Sequence, residues 1–462
     1  MASINTGTKT AKYTHEGAKA SNINLKQELR RSVMACMLWE DTFYENGHDI
    51  ATRIKSLVHV LPGEFISELA IEAREKMKLR HVPLLLVREL ARHPKKDERK
   101  YVGETLARVI QRPDELTEYV SIYWKDGKEP LSAQSKLGLA KAFLKFNEYS
   151  LGKYNRDNPV KLRDVLFLSH AKPETKEQEK LFKKLVDNTL TTPDTWEVAL
   201  SGGANKKEVF TRLLKEEKLG ALALLRNLRN MNDSGVDKDV IIDGILNSKV
   251  ERVLPFRFIS AAEYAPQFET VLEKKMFECL SSQPELPGKT VLIVDVSGSM
   301  GGEVSGKSEM QRIDAAGAIA MLLREICEEV SIYCTAGNDY SRIHDTKLVP
   351  SRKGFALRDL IKSARGSQGG GGIFLKQSLD YVYGKEKTAD RIIVITDEQD
   401  CDTDPMKSPA KANTFGKNNY LINIASYKNG IGYGKWTHID GFSEAVIDYI
   451  QVNEDQSVAE GD

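Results

Sequence analysis

The spacing of apolar residues changes once along this chain, at Glu285-Leu286-Pro287-Gly288-Lys289, and that change limits what each side can fold into. Before it, the signals are helical. INLKQELRRSVMACMLWE, GEFISELAIEAREKMK, HVPLLLVRELARH, SAQSKLGLAKAFLKF and KKEVFTRLLKEEKLGALALLRNLRNM place apolar residues three and four apart. Turns such as LPGE, QRPD and TTPDT separate them. A long series of helices without strands predicts an α-solenoid of the HEAT or armadillo type. With no repeat consensus to write, a large helical bundle fits the same spacing. After the change, VLIVD, VSIYCT, RIIVIT and YLINIA are short β-rich runs, and EMQRIDAAGAIAMLLREICEE and GIFLKQSLDYVYG are helical segments among them. That alternation predicts a doubly wound, mostly parallel sheet. Ligands of such sheets bind at the carboxyl ends of the strands.

The resulting division is a flexible N-terminal segment (1–22), a helical domain (23–284), an α/β domain (285–452) that closes on the helix SEAVIDYIQ, and an acidic tail (453–462). The composition is that of a globular chain, with 41% hydrophobic and 29% charged residues. A net charge of +1 over 462 residues means that any basic footprint for nucleic acid must be local. Cys36, Cys279, Cys327, Cys334 and Cys401 form no CxxC pair, which fits free thiols in a reducing compartment. The polar opening MASINTGTKTAKYTHEGAKASN does not read as a signal peptide, and no apolar run is long enough to span a bilayer. A cytoplasmic protein is expected.

The first strand of the α/β half runs directly into Asp295-Val296-Ser297-Gly298-Ser299. This DxSxS pattern at a strand end reads as the first loop of a metal-ion-dependent adhesion site. Alternate residues of the turn aim a carboxylate and two hydroxyls at one point, and hard oxygen ligands suit Mg²⁺. RIIVIT then ends at Asp397, a carboxylate able to join through water. The third element of such a site is a Thr after a glycine run. Here Gly369-Gly370-Gly371-Gly372 is followed by Ile373, which carries no oxygen, so a degenerate site and weak Mg²⁺ binding are expected. On that alignment, Ile373→Thr is expected to tighten the metal. Without the strand before it and the helix after it, the same residues would only make a tight turn with Asp295 as a helix cap.

A rival pattern overlaps. Gly301 to Ser308 (GGEVSGKS) matches the P-loop GxxxxGKS/T, and IIVITDE resembles a Walker B strand with Asp397 and Glu398. In a P-loop the first glycine follows its strand directly, so that the amides turn onto phosphate. Here Val296 to Met300 intervene, which speaks against an NTPase. No nucleophile–base set, GxSxG or zinc-ligand spacing stands out, so no enzyme is expected.

RRSVMACMLWEDTFYENG, FNEYSLGKYNRDNPVKLRDVLFLSHAKP, WEVALSGG and LGALALLRNLRNM, together with a C-terminal DxSxS domain, resemble the Ro autoantigen (TROVE) family from about Leu25 to Ile450. The resemblance implies a HEAT-like solenoid closed into a ring, followed by a von Willebrand factor A domain. It implies a monomer that binds small Y-like RNA and single-stranded RNA ends without catalysis, in RNA quality control or stabilisation. It also implies an exoribonuclease partner such as polynucleotide phosphorylase, and no membrane.

By the same resemblance, Lys153 and His170 fall on positions that contact RNA, and Arg156 lies one place from another. Around them, Lys141 to Lys172 holds seven basic residues against three acidic ones, with Phe146, Tyr149 and Tyr154 interleaved. Lys153, Arg156, Lys161, Arg163, His170 and Lys172 are therefore the candidate RNA-binding residues. Such cations bind phosphate, and aromatic faces stack unpaired bases. A solvated helix face would carry the same charges. Arg74, Arg80, Arg88, Arg92 and His93 form a second basic cluster that nearby Glu residues can neutralise. The alternative function is a metal-dependent protein-binding von Willebrand factor A module on a helical scaffold, without RNA.

Overall fold

The structure is a computed structural model that describes residues 12–34, 38, 44–250, 253, 256–281, 285–304, 306, 309–368, 370–409, 418–425, 427–432, 434–441, 446–447, 449–451 and 453–454. Cys36, Ser305, Lys307 and Ser308 lie outside the described residues, and so does most of the acidic tail. The chain divides into two compact units. One combines residues 1–50 with 282–462, and the other is 51–281.

The helices in chain order begin with α1 (Leu25–Met34) and α2 (Gly47–Val58). Next come α3 (Gly63–Glu75), α4 (His81–Ala91), α5 (Val102–Val109), α6 (Pro113–Tyr123), α7 (Ala133–Phe143), α8 (Glu148–Tyr154) and α9 (Leu162–Ser169). The series continues with α10 (Lys176–Val186), α11 (Trp196–Ser201), α12 (Lys206–Lys215), α13 (Ala221–Asp233), α14 (Lys238–Asn247), α15 (Phe256–Tyr264) and α16 (Glu269–Leu280). The apolar spacing decides what each buries. Helix α3 buries Ile66, Leu69, Ala70 and Ala73, and α13 buries Leu224, Leu225, Leu228 and Met231. Side-chain caps start several of them. Ser132 accepts from the Ser135 amide at 3.1 Å, Thr175 from Gln178 at 3.2 Å and Asn205 from Glu208 at 3.2 Å.

Helices pack both on their chain neighbours, as α3 on α4, and on the next helix but one. α3 packs on α5, α5 on α7 and α7 on α9, while α4 packs on α6. The same alternation returns with α12, α14 and α16 against α13 and α15. Gly138 lets α7 approach α5, because a Cβ there would sit 2.7 Å from the Leu106 Cβ.

The other unit is built on a six-stranded sheet in the order β3-β2-β1-β4-β5-β6. Its strands are β1 (Leu286–Asp295), β2 (Cys327–Asn338), β3 (Ile343–Leu348), β4 (Arg391–Thr396), β5 (Asn418–Asn423) and β6 (Thr437–Asp440). Among these described strands, only the β2–β3 pair is antiparallel. All of β4 and the last six residues of β1 are buried, as expected for strands covered on both faces. Val291, Ile293, Ile392, Val394 and Leu421 share one apolar cluster with Leu375, Leu379 and Val382 of helix α19 (Leu375–Lys385). Helices α17 (Arg312–Ile326) and α18 (Gly354–Ala364) pack on each other, and α17 also contacts β1.

The start of the chain belongs to this unit. Thr14 Oγ1 donates to the Asp400 carbonyl at 2.9 Å, and the Ser21 amide donates to the Gly430 carbonyl at 2.8 Å. Helix α1 packs on β6. Arg31 of α1 is buried and pairs with Glu398, with its Nε donating 2.5 Å to the Tyr427 carbonyl. The sequence places α1 with the helical half, because its periodicity shows a buried face and not what covers that face.

Candidate functional site

The chain leaves β1 outward to β2 and β3, then returns to β4 on the other side of β1. The strand order therefore reverses between β1 and β4, and their carboxyl ends flank the crevice where sheets of this kind bind ligands. Asp295 ends β1, and Asp397 directly follows β4. Both are fully buried. Asp295 Oδ1 accepts from the Ser297 amide at 2.9 Å, and Oδ2 accepts from Thr396 Oγ1 at 2.6 Å. The Ser297 and Ser299 hydroxyls are 3.2 Å apart. Burial, with Asp397 nearby, pushes the Asp295 carboxyl up to about 7. The strand ends thus bring together Asp295, Ser297, Ser299 and Asp397.

Two neighbours were not legible as part of this group. Arg312, the first residue of α17, places Nη1 3.1 Å from Asp397 Oδ2 and 3.4 Å from the Ser299 carbonyl oxygen. Tyr44 donates its hydroxyl to the same Asp397 Oδ2 at 2.5 Å, and its ring lies 4.4 Å from the Arg312 guanidinium carbon. Burial and the Asp397 charge push the Tyr44 hydroxyl far above its ordinary range. Periodicity carried no signal for either residue. A basic residue at a helix start, next to two acids at strand ends, was the one hint.

The glycine run is held by its surroundings. The Gly372 amide donates to Asp339 Oδ1 at 2.8 Å, and the Gly371 carbonyl accepts from the Gly298 amide at 2.9 Å. A Cβ on Gly372 would lie 1.9 Å from Cys401 Sγ, so only glycine fits there. Ile373 is 1% exposed and turns into the apolar cluster with Val291, Leu375 and Leu379. The donor set does not fit a six-coordinate Mg²⁺ as it stands. The loop oxygens converge, but Asp397 is already paired with Arg312 and Tyr44, and Ile373 supplies no oxygen. Among the described residues, no group of three or more His, Cys, Asp or Glu side chains is placed to hold a metal.

In the helical unit, the expected RNA residues lie on α8 and α9, between them and just after α9. Lys153 pairs with Glu197 at 3.1 Å, Lys161 with Asp157 at 2.5 Å and Arg163 with Asp164 at 3.8 Å. Lys141 pairs with Glu104, and Lys145 donates to the Ala107 and Ile110 carbonyls. Glu104 and Glu197, from outside this stretch, therefore offset two of its cations, while the Lys161 and Arg163 pairs lie at the surface. Arg156, His170 and Lys172 are exposed, and Arg156 and Lys172 make no ion pair among the described residues. Lys153, Arg156, Asn155, Asn188 and Thr192 line one cleft. Beside it, the guanidinium of Arg156 lies 5.9 Å from the Tyr154 ring. His170 ends α9 with φ 55°, a left-handed cap conformation, and its imidazole points to solvent.

The second basic cluster is paired within the protein, with Arg74, Arg88 and His93 buried. Arg74 donates to the Val109 carbonyl at 3.0 Å and to Glu115 at 2.6 Å. Arg80 pairs with Asp114 and Glu118, Arg88 with Glu89 and Asp126, and Arg92 with Glu129. Apart from Arg88–Glu89 within α4, these pairs tie α3 and α4 to α6 and to the turn after it.

A further basic group went unread in the sequence. Arg226 and Arg229 of α13 and Arg257 of α15 line a cleft of about 270 Å³ with Asn230, Ser260 and Tyr264. All three arginines are exposed, and the Tyr264 ring is 38% exposed with the Arg229 guanidinium 5.3 Å from its centre. The signal was present: Leu222, Arg226 and Arg229 share one helical face, as do Arg257, Ser260 and Tyr264.

Fold and site together define a class of protein: an alternating array of helices joined in one chain to a doubly wound sheet with a DxSxS crevice. Within that class the chain resembles the TROVE family of Ro proteins. The "TROVE domain" family model matches residues 188–329. A 92-residue stretch is 33% identical to telomerase protein component 1 of Mus musculus and 32% identical to that of Rattus norvegicus. That stretch is 19% of this chain and 4% of each relative, so the match spans a small part of their length. The crystal structure of the Deinococcus radiodurans Ro (RSR) protein superposes with a TM-score of 0.58 at 16% identity, over 92% of this chain and 98% of that one. At that identity the likeness is one of fold. No helix among the described residues is long and apolar enough to cross a membrane.

Proposed function

We propose that this chain is a non-catalytic RNA-binding protein whose helical unit holds small structured RNA and single-stranded RNA ends. The observation that supports it most is the exposed basic and aromatic surface of the helical unit, in a chain matched by the TROVE domain. Arg156, His170 and Lys172 present donors to solvent, and Tyr149 and Phe167 beside them are 58% and 60% exposed. Cations of this kind supply affinity through phosphate, and exposed rings accept unpaired bases. Lys153, Lys161 and Arg163 join them by exchanging their present carboxylate partners for phosphate. The Arg226, Arg229 and Arg257 cleft is a second place for single-stranded RNA.

The family resemblance supports three finer readings that belong to the same proposal. The helices form a HEAT-like solenoid closed into a ring, and the sheet unit is a von Willebrand factor A domain. Any Mg²⁺ affinity at Asp295, Ser297, Ser299 and Asp397 is weak, because Asp397 is already paired and Ile373 supplies no oxygen. The partners are a Y-like RNA and an exoribonuclease such as polynucleotide phosphorylase, in the cytoplasm.

Crosslinking and sequencing of RNA bound to the purified full chain tests the central reading. Enrichment of a small noncoding RNA, with crosslinks in residues 149–172 or 222–264, is the expected result. Nucleic-acid-free protein that binds neither structured nor single-stranded RNA in a filter assay would overturn it.

A further inference from the structure

We propose that the guanidinium of Arg312 is the resident cation of the DxSxS crevice and that the Tyr44 hydroxyl occupies the same Asp397 oxygen as an internal donor. This face of the sheet unit then works without Mg²⁺, and it becomes a true divalent-cation site only when Arg312 is removed. The inference rests on the adhesion-type reading of the loop and is independent of RNA binding.

Arg312 reaches the crevice because the chain before α17 folds back on itself. Its amide donates to the Gly302 carbonyl at 2.9 Å, and Glu303 bridges Gln311 in an antiparallel pair. This places the side chain beneath the loop, 1% exposed. A guanidinium does not give up its proton in a protein, so a buried arginine must be met by negative charge. Asp397 Oδ2 at 3.1 Å meets it, and the Ser299 carbonyl at 3.4 Å lies on the same nitrogen. A metal at this loop would be expected to draw on that same carboxylate.

Tyr44 completes the arrangement. Its hydroxyl donates to Asp397 Oδ2 at 2.5 Å, while its ring faces the guanidinium at 4.4 Å. One carboxylate oxygen therefore accepts from both an internal cation and an internal hydroxyl. A divalent ion drawing on Asp397 would have to displace both donors and would meet the fixed charge of Arg312. On the other side of the crevice, Ile373 offers no oxygen to offset that repulsion.

Manganese is the probe, read by electron paramagnetic resonance and by Mg²⁺ calorimetry on the full-length chain. The wild type is expected to bind weakly, and Arg312→Gln is expected to bind Mn²⁺ at least about tenfold more tightly. Arg312→Gln/Asp397→Asn should lose that gain. Arg312→Lys keeps a cation in the crevice, so a folded Lys variant with the weak wild-type response supports the proposal even if the Gln variant does not fold. Tight Mn²⁺ binding by the wild type, or tightened binding by the Lys variant, would overturn the proposal and leave the adhesion-type reading standing. A folded Gln variant that binds no better than the wild type would sink both.

Discussion

His438 Nε2 lies 2.7 Å from Glu398 Oε1 in a pocket where neither side chain reaches solvent. Asp440 lies 3.3 Å from the other ring nitrogen, and Arg31 of α1 pairs with the second Glu398 oxygen. Burial alone would lower the imidazole, but Asp440 and Glu398 outweigh it and raise His438 to about 9. Burial likewise opposes ionisation of Asp440, yet His438 and Arg31 hold it down at about 2. The folded pKa of His438 thus exceeds its ordinary value of 6.5. Its stabilising contribution is complete below about 6.5 and is lost as pH rises through about 9. Urea unfolding of the sheet unit, followed from pH 6 to 10, should show stability falling across about 6.5 to 9. In His438→Gln that slope should disappear, and an unchanged slope would place its origin elsewhere.

Arg31→Met should leave Glu398 buried beside one cation fewer. Breaking a buried ion pair from one side costs about 3–5 kcal/mol. The expected result is a large loss of stability in the sheet unit. Hydrogen exchange should localise that loss to α1 and the loops carrying Glu398 and Gly432, with the helical unit unaffected.

Ile373→Thr should destabilise the protein and leave metal affinity low. The side chain stands in the apolar cluster, so the change removes a methyl group and buries a hydroxyl there. The cost is about 1–3 kcal/mol, readable as a lower denaturation midpoint. Tighter Mg²⁺ binding by this single variant would mean that the loop turns Thr toward Asp295.

RNA affinity should fall steeply with salt. Lys153→Ala/Arg156→Ala should flatten the log–log salt slope by about 1 to 2 units, one counterion per phosphate contact. His170→Ala should weaken binding with little change of slope and an unchanged melting temperature, because the imidazole is solvent-facing. A drop in melting temperature along with binding would mark His170 as structural.

The strand–helix order and the DxSxS crevice were legible because each depends on short-range pattern. A short β-branched run such as RIIVIT fits a strand covered on both faces, and a carboxylate at a strand end stays there in any doubly wound sheet. The helices were legible for the same reason. What covers each face was not. Arg31 and Tyr44 sit in helical-looking sequence, and their partners Glu398 and Asp397 are more than 350 positions away. Nor were the partners of the basic stretch around Lys153 legible, since Glu104 and Glu197, which pair with Lys141 and Lys153, lie on other helices. The Arg226, Arg229 and Arg257 cleft needs two helices side by side before three scattered arginines become one surface.

Arg226→Ala/Arg229→Ala/Arg257→Ala should weaken binding of a single-stranded oligonucleotide and flatten its salt slope by about 2 units. Tyr264→Ala should cost about 1–3 kcal/mol of affinity without changing the slope, as a lost stacking partner does. Competition by structured RNA should be unaffected. Equal losses for both RNA types would make this cleft and the Lys153 region one continuous surface.

The hydrogen bonds from Thr14 to Asp400 and from Ser21 to Gly430 have a bearing on synthesis. The helical unit is contiguous, so it can fold on the ribosome as soon as its own residues emerge. The sheet unit cannot: its first residues must wait, with the buried face of α1 uncovered, until β6 has been made some four hundred codons later. During that interval the nascent chain carries the uncovered apolar face of α1, a natural substrate for a holding chaperone.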